Sequence, residues 1–269
     1  MTAFQKNDRL PLPREHGAWA MFFVPLTVGI GAANRSDAAT LLFALTAFGF
    51  FLLRYPLAVA LKSRAPDVRA HAWRWSAIYA ALTLVSGTTL LLVTQLALLA
   101  GLAVLGFASL AIYLGFAVRR AEMSLAGEWL GIAGLALAAP GAYLVATRAL
   151  DATAFAIYAL NVGYFGGTVS YIKFKVREQL RVVAPNASLT ARLWAGRWTL
   201  AYHALTLGVV LALAGIGWTP MLLTLAFGLP LCKVVGGLLL RPARLNVPHL
   251  GFIELGVTLG FVFIVLLAY

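Results

Sequence analysis

Long apolar runs separated by short charged stretches alternate along the whole chain. They lie near 17–33, 38–57, 73–93, 95–117, 124–147, 152–172, 198–216, 219–240 and 250–269. A helix needs about 20 apolar residues to bridge roughly 30 Å of hydrocarbon. The pattern therefore predicts an all-α polytopic membrane protein, nine transmembrane helices in one domain covering 1–269. Tyr55-Pro56 is an expected kink or stop in the second run, because proline lacks the N–H that the helix ladder uses. The first run has the basic start of a signal peptide, but Arg14-Glu15-His16 and Pro25 carry more chemistry than such a segment holds, so it counts as structure.

Orientation follows from the basic residues, which are retained on the cytoplasmic side. Alternating nine spans puts eighteen of the 21 Lys and Arg residues on one face. The other face receives only Arg35 and Arg148, each close in sequence to an aspartate, Asp37 and Asp151. Lys233 falls inside a span. The N-terminus is thus expected in the cytoplasm and the C-terminus outside. Function is expected on the cytoplasmic face, where the connections after the second and sixth runs are long and charged.

Composition agrees. Apolar residues make up 62% of the 269 and charged residues 11%, and mean hydropathy is +0.89, against about 25% charged in soluble domains. A net charge of +12 would suggest nucleic acid in a soluble protein. Here it belongs to cytoplasmic loops, and no nucleic-acid partner is expected. One cysteine, Cys232, excludes an internal disulfide, and neither CxxC nor HExxH spacing occurs. No metal site is expected.

Ionisable groups at membrane depth cost about 2.5–3.5 kcal/mol each on insertion scales. Glu128, Glu254 and Lys233 are such groups. The glutamates are either interfacial or functional, and Lys233 is either functional or paired with Glu254 or Glu128. Pro140 and Pro230, each within a span, are candidate helix breaks. Glycine pairs four residues apart, 127/131, 163/167 and 256/260, are expected to let helices approach closely. His203, the one histidine within a span, is expected to pack rather than to ligate haem, since no second intramembrane histidine exists.

Two basic clusters cap spans on the same predicted side. One contains Arg54 and Lys62, with Ala58 between them at four-residue steps. The other reads Tyr171-Ile-Lys173-Phe-Lys175-Val-Arg177-Glu178. Its alternation of basic and apolar residues fits a strand as well as a helix. These clusters are either flanks that bind anionic headgroups without specificity or a converging site for an anionic ligand, for which Arg supplies a planar fork and Lys a mobile charge.

The string Pro13-Arg14-Glu15-His16-Gly17-Ala18-Trp19, with Pro25 in the same helix, resembles the start of the YwiC-like family of bacterial membrane proteins. The likeness continues through Leu53-Arg54-Tyr55-Pro56-Leu57 and Arg177-Glu178. It implies a multi-pass protein of the bacterial cytoplasmic (inner) membrane and no particular reaction. More distantly, nine helices with charged motifs after the second and sixth resemble the UbiA-type intramembrane prenyltransferases and imply a UbiA-like bundle. In that superfamily aspartates at these two places hold magnesium, which holds a prenyl diphosphate. Here Arg54, Ala58 and Lys62 stand at the first place, and Lys175 and Gln179 follow Tyr171 at the second. Basic residues repel Mg²⁺, so neither Mg²⁺ nor another cofactor is expected.

The expected function is binding of an anionic amphiphile, an isoprenoid or lipid phosphate, with a metal-independent transfer left open. Arg54, Lys62, Tyr171, Lys173, Lys175, Arg177 and Lys233 are the expected ligand-binding residues. Glu15, His16, Glu128, Glu178 and Glu254 are the pool for acid–base chemistry. Two alternatives stand beside it: a transporter or flippase of an anionic solute or lipid, and an accessory subunit of a membrane complex. Membrane lipids are the expected surroundings, and a protein partner is left open.

Overall fold

The computed structural model describes residues 11–13, 16–178, 187–240 and 246–269. Of His16, Arg177, Glu178 and Val247 only the backbone is described. Among these residues the fold is all-helical. In chain order the helices are α1 (His16–Ala32), α2 (Ala38–Lys62), α3 (Pro66–Thr94), α4 (Ala97–Val118), α5 (Leu125–Ala136) and α6 (Ala138–Thr147). Then follow α7 (Ala152–Lys173), extended by a π-helical turn (Phe174–Glu178), a short α8 (Leu189–Ala195), α9 (Arg197–Gly215), α10 (Leu223–Leu239) and α11 (Val247–Ala268).

Six segments are long and apolar enough to cross a membrane: Ala38–Lys62, Pro66–Thr94, Ala97–Val118, Leu125–Thr147, Arg197–Gly215 and Pro248–Ala268. Gly17–Ala32 and Leu223–Leu239 are apolar but shorter. The protein is accordingly a multi-pass membrane protein. Large apolar side chains such as Leu41, Leu92, Phe252 and Leu267 are exposed on these helices, as contact with lipid requires.

Two prolines act differently from the sequence expectation. Pro56 does not end α2, which continues to Lys62. Pro230 likewise lies inside an unbroken α10. Pro140 does coincide with an interruption: the fifth apolar run is two helices meeting at Leu137. The ring removes the donor that would bond the Ala136 carbonyl, so the ladder restarts with Gly141 N–H donating to Leu137 O at 3.1 Å. The stretch after Tyr171 is helical rather than strand-like, but widened into the π turn.

The chain forms two compact units, Met1–Ala154 and Phe155–Tyr269. In the first unit α2 packs along α3, and α6 packs against α1 and α2. Every residue from Ala138 to Ala146 is buried, which is why α6 carries no polar stripe. A Cβ at Gly29 would collide with the backbone carbonyl of Ala139, so the α1–α6 approach depends on that glycine. Phe22 and Phe51 stack at 4.7 Å between ring centroids, with Trp19 edge-on to Phe51 at 5.1 Å. The hydroxyls of α3 turn back onto their own helix: Ser76 donates to Ala72 O and Thr83 to Tyr79 O, both at 2.8 Å. Hydrocarbon offers them no other partner.

The expected glycine contacts divide. Gly163 packs against Phe227 on α10 and Thr206 on α9, Gly167 against His203 on α9 and Gly260 against Leu229, whereas the Cβ position of Gly256 is open. Gly127 lies close to the carbonyls of Ala121 and Glu122 in the preceding turn.

Asp37 caps α2. Its Oδ1 accepts from Thr40 N–H at 2.8 Å while Thr40 Oγ1 accepts from Asp37 N–H at 3.3 Å, a reciprocal capping box. Arg148 reaches Asp37 Oδ2 at 3.3 Å, although Asp151 is its neighbour in sequence; Asp151 instead accepts from the Tyr143 hydroxyl at 3.0 Å. The Thr40 backbone N–H, then its hydroxyl and the Arg148 charge, hold the Asp37 carboxyl below its ordinary value. A depressed carboxylate stabilises the fold above its ordinary pKa and loses that contribution as pH falls through the lowered one. Asp37→Ala should therefore lower stability by about 1 kcal/mol at neutral pH. In thermal unfolding at stepped pH, the gap from wild type should shrink on acidification below the usual carboxylate range.

Candidate functional site

The deepest charges lie in the second unit. Lys233, near the middle of α10, donates to Glu254 Oε1 at 2.7 Å and Oε2 at 2.8 Å. Glu254 sits two turns into α11. The two side chains are 5% and 10% exposed. Of the two glutamates considered for Lys233, the structure selects Glu254. The ammonium also lies 4.6 Å from the centre of the Tyr171 ring, so aromatic electrons face the part of the cation that the carboxylate leaves uncovered.

Tyr171 belongs to a polar stripe on α7. Asn161, Tyr164, Thr168 and Tyr171 are all buried, and their spacing of three, four and three residues places them on one helix face. The Tyr164 hydroxyl and Thr258 Oγ1 on α11 are hydrogen-bonded at 2.9 Å. The Tyr171 hydroxyl lies against Gly237, where a Cβ would collide with it. Lys175, in the π turn, donates to Gly237 O at 2.8 Å. The extra backbone residue of a π turn rotates the side chains that follow it, and here Lys175 meets α10.

His203 on α9 completes the cluster. It is 3% exposed, and its Nδ1 lies 2.8 Å from Thr199 O. A carbonyl only accepts, so Nδ1 carries the proton and Nε2 of the neutral ring is a bare acceptor. Nε2 has no hydrogen-bond partner among the described residues. It faces Gly167, whose Cβ position lies 2.8 Å away. The expected packing histidine is thus satisfied on one nitrogen only. Asn161 shows the same asymmetry, with Nδ2 donating to Ile157 O at 2.7 Å and a buried Oδ1 without a described partner.

The first unit contains a different feature, an apolar cavity of about 260 Å³ walled by α1 to α6. Phe43, Phe50, Leu91, Leu99 and Phe107 line it together with Tyr113 and Arg54. Arg54 is the one charged lining residue, its guanidinium 4.6 Å from the centre of the Tyr113 ring. Lys62, two turns further along α2, is held by Glu122 at 2.8 Å. Burial alone would raise the Glu122 carboxyl, but the Lys62 hydrogen bond, its own backbone N–H and the charges of Lys62 and Arg120 outweigh it and hold it below its ordinary value.

The predicted ligand-binding residues therefore divide between the units. Arg54 and Lys62 belong to the first; Tyr171, Lys173, Lys175, Arg177 and Lys233 belong to the second. Lys173 ends α7 and is half-buried, and Glu128 is half-buried in the first turn of α5. Glu15 lies outside the described residues, as do the side chains of His16, Arg177 and Glu178. Asn161, Tyr164, Thr168 and Thr258 were not singled out from sequence. Their signal was available: four polar residues on one face of an otherwise apolar helix. The cavity had no such signal, since its walls are ordinary apolar positions on six helices.

The model of the YwiC-like protein family matches residues 12–143. Over that stretch the chain is similar to that family. The YwiC-like part falls within the first unit and includes all the cavity-lining residues. A Haemophilus influenzae protein described as uncharacterized is 27% identical over 260 residues, covering 97% of this chain and 99% of that protein. Its match extends through the second unit, where Lys233 and Glu254 lie. No solved structure matches the chain.

Removing one member of a buried pair leaves an uncompensated charge, which costs about 3–5 kcal/mol, whereas replacing both with apolar groups is often neutral. Lys233→Met alone should lower the thermal unfolding temperature in detergent strongly. The double variant Lys233→Met, Glu254→Leu should recover most of the loss.

Proposed function

We propose that this membrane protein binds an anionic amphiphile, an isoprenoid or lipid phosphate, with the apolar tail in the cavity of the first unit and the head at Arg54. The observation that carries this reading is an apolar cavity of about 260 Å³ with a single cationic side chain, Arg54, among its described lining residues. Phe43 and Arg54 are separated by roughly 16 Å along α2 at 1.5 Å per residue, room for an extended hydrocarbon segment. Basic loops support a cytoplasmic position for Arg54, in keeping with a bacterial inner-membrane protein.

Moving a tail from lipid into an apolar cavity gains little, because acyl chains are as apolar as leucine. Affinity then rests on the head. Arg54 offers a planar set of donors suited to phosphate oxygens, and the Tyr113 ring beneath it keeps the guanidinium oriented. Lys62 is neutralised by Glu122 and contributes less than sequence position suggests. Mg²⁺ has no part in this reading, because basic residues stand where the UbiA pattern has aspartates. Any transfer on the bound head is then metal-independent. Transport of an anionic solute or lipid is the second reading, favoured by the Lys233–Glu254 pair at membrane depth.

Native mass spectrometry of protein released from mild detergent, with and without EDTA, tests the proposal. A stoichiometric anionic isoprenoid or phospholipid that survives EDTA is the expected result. Arg54→Ala should weaken its retention about tenfold or more, the worth of a charge-assisted hydrogen bond. Gly106→Leu should displace it while preserving the fold, since Gly106 lines the cavity and its Cβ position makes only ordinary contact with Phe50 at 3.8 Å. Unchanged retention in both variants would remove the cavity site and turn attention to solute-flux assays.

A further inference from the structure

The Lys233–Glu254 pair is well satisfied, yet a second acceptor for the same ammonium lies unused nearby. His203 Nε2 is buried and without a partner among the described residues, and it packs against the same face of α7 as Lys233. The two groups are placed by neighbouring turns of α7. His203 Nε2 faces Gly167, and Lys233 Nζ lies over Tyr171, four residues and roughly one 5.4 Å helical pitch further on. An orphaned acceptor in a protein interior is costly unless another state uses it.

We propose that Lys233, Glu254 and His203 form a membrane-embedded proton-binding site with two positions for the lysine. In the observed position Lys233 holds the Glu254 carboxylate, His203 is neutral with its proton on Nδ1, and the three groups sum to no charge. A proton arriving from water bonds to a Glu254 oxygen and ends its attraction for the ammonium. Lys233 keeps its three protons and donates one to His203 Nε2. The site then carries one positive charge. Release of the Glu254 proton reverses both steps.

The surroundings suit this exchange. The other titratable groups near the site include Tyr164 and Tyr171 on α7, Lys175 in the π turn, and Tyr202 on α9, whose ring lies 5.8 Å from that of His203 and whose hydroxyl donates to Gly163 O at 3.0 Å. The Tyr164 hydroxyl is committed to Thr258 and Lys175 to Gly237 O, so neither competes for the proton. The Tyr171 ring, 4.6 Å from Nζ, offers the ammonium a favourable surface at the position it leaves. This proposal is independent of the amphiphile site, which lies in the first unit.

Infrared difference spectroscopy of the full chain in lipid nanodiscs, titrated from about pH 4 to pH 9 to span the carboxyl and imidazole ranges, reads the exchange directly. On acidification the wild-type minus Glu254→Gln difference should show a protonated-carboxyl band, the other eight Asp and Glu side chains cancelling. Where that variant does not fold, Glu254→Gln combined with Lys233→Met removes both buried charges and serves instead. His203→Leu removes the second acceptor, so the protonated state loses its lysine partner and the band midpoint should fall by about one to two pH units. His203→Gln, which restores an acceptor at similar reach, should return the midpoint toward wild type. A wild-type spectrum indistinguishable from that of the Glu254 variant over this range would overturn the proton site. An unchanged midpoint in His203→Leu would overturn the two-position lysine.

Discussion

A polar group placed in hydrocarbon must find its partner within the protein, and most of what distinguishes this chain from a generic apolar bundle follows from that constraint. Hydroxyls on α3 meet it locally by donating to carbonyls one turn back. Lys233 cannot do so. Its charge needs a carboxylate, and the second unit brings Glu254 to 2.7 Å from a different helix. Tyr171, Gly237 and Lys175 are then arranged around the pair, glycine making room for the tyrosine hydroxyl and supplying the carbonyl that Lys175 binds.

The two units treat charge in opposite ways. In the first, charges sit at the ends of helices: Asp37 with Arg148 at one connection, Lys62 with Glu122 at another. Such exposed pairs contribute little to stability individually, and the packing of α6 among its neighbours does the larger share. Arg54 is the exception, a guanidinium against an apolar cavity with an aromatic ring as its contact. In the second unit the charges and polar groups are interior, on α7, α9, α10 and α11. An apolar cavity and a buried ion pair place different demands on an interior, and this chain keeps them in separate units.

Helix type and approximate limits were legible in the sequence, because each segment's apolar content satisfies its own stretch of membrane without reference to the rest. The cost of an intramembrane charge is also local, so Lys233 and Glu254 stood out singly. Their pairing was one of two open options, since helix rotation and depth decide which carboxylate an ammonium meets. The break at Leu137 was hinted at by Pro140, yet Pro56 and Pro230 carry the same chemical signal and leave their helices continuous. Proline identity alone did not separate the cases.

By itself, then, the sequence determined a multi-pass helical membrane protein with basic connections and costly charges at named positions. Each of these depends on residue type and nearest neighbours along one helix. Only the tertiary structure decided that Lys62 is occupied by Glu122, that Arg54 heads an apolar cavity, and that His203 keeps one nitrogen bare beside Gly167. Those outcomes depend on which faces of different helices meet. The physical reason is that lipid rewards any apolar surface equally, so contacts between helices are selected by shape, small residues and scarce polar groups, which become specific only in three dimensions.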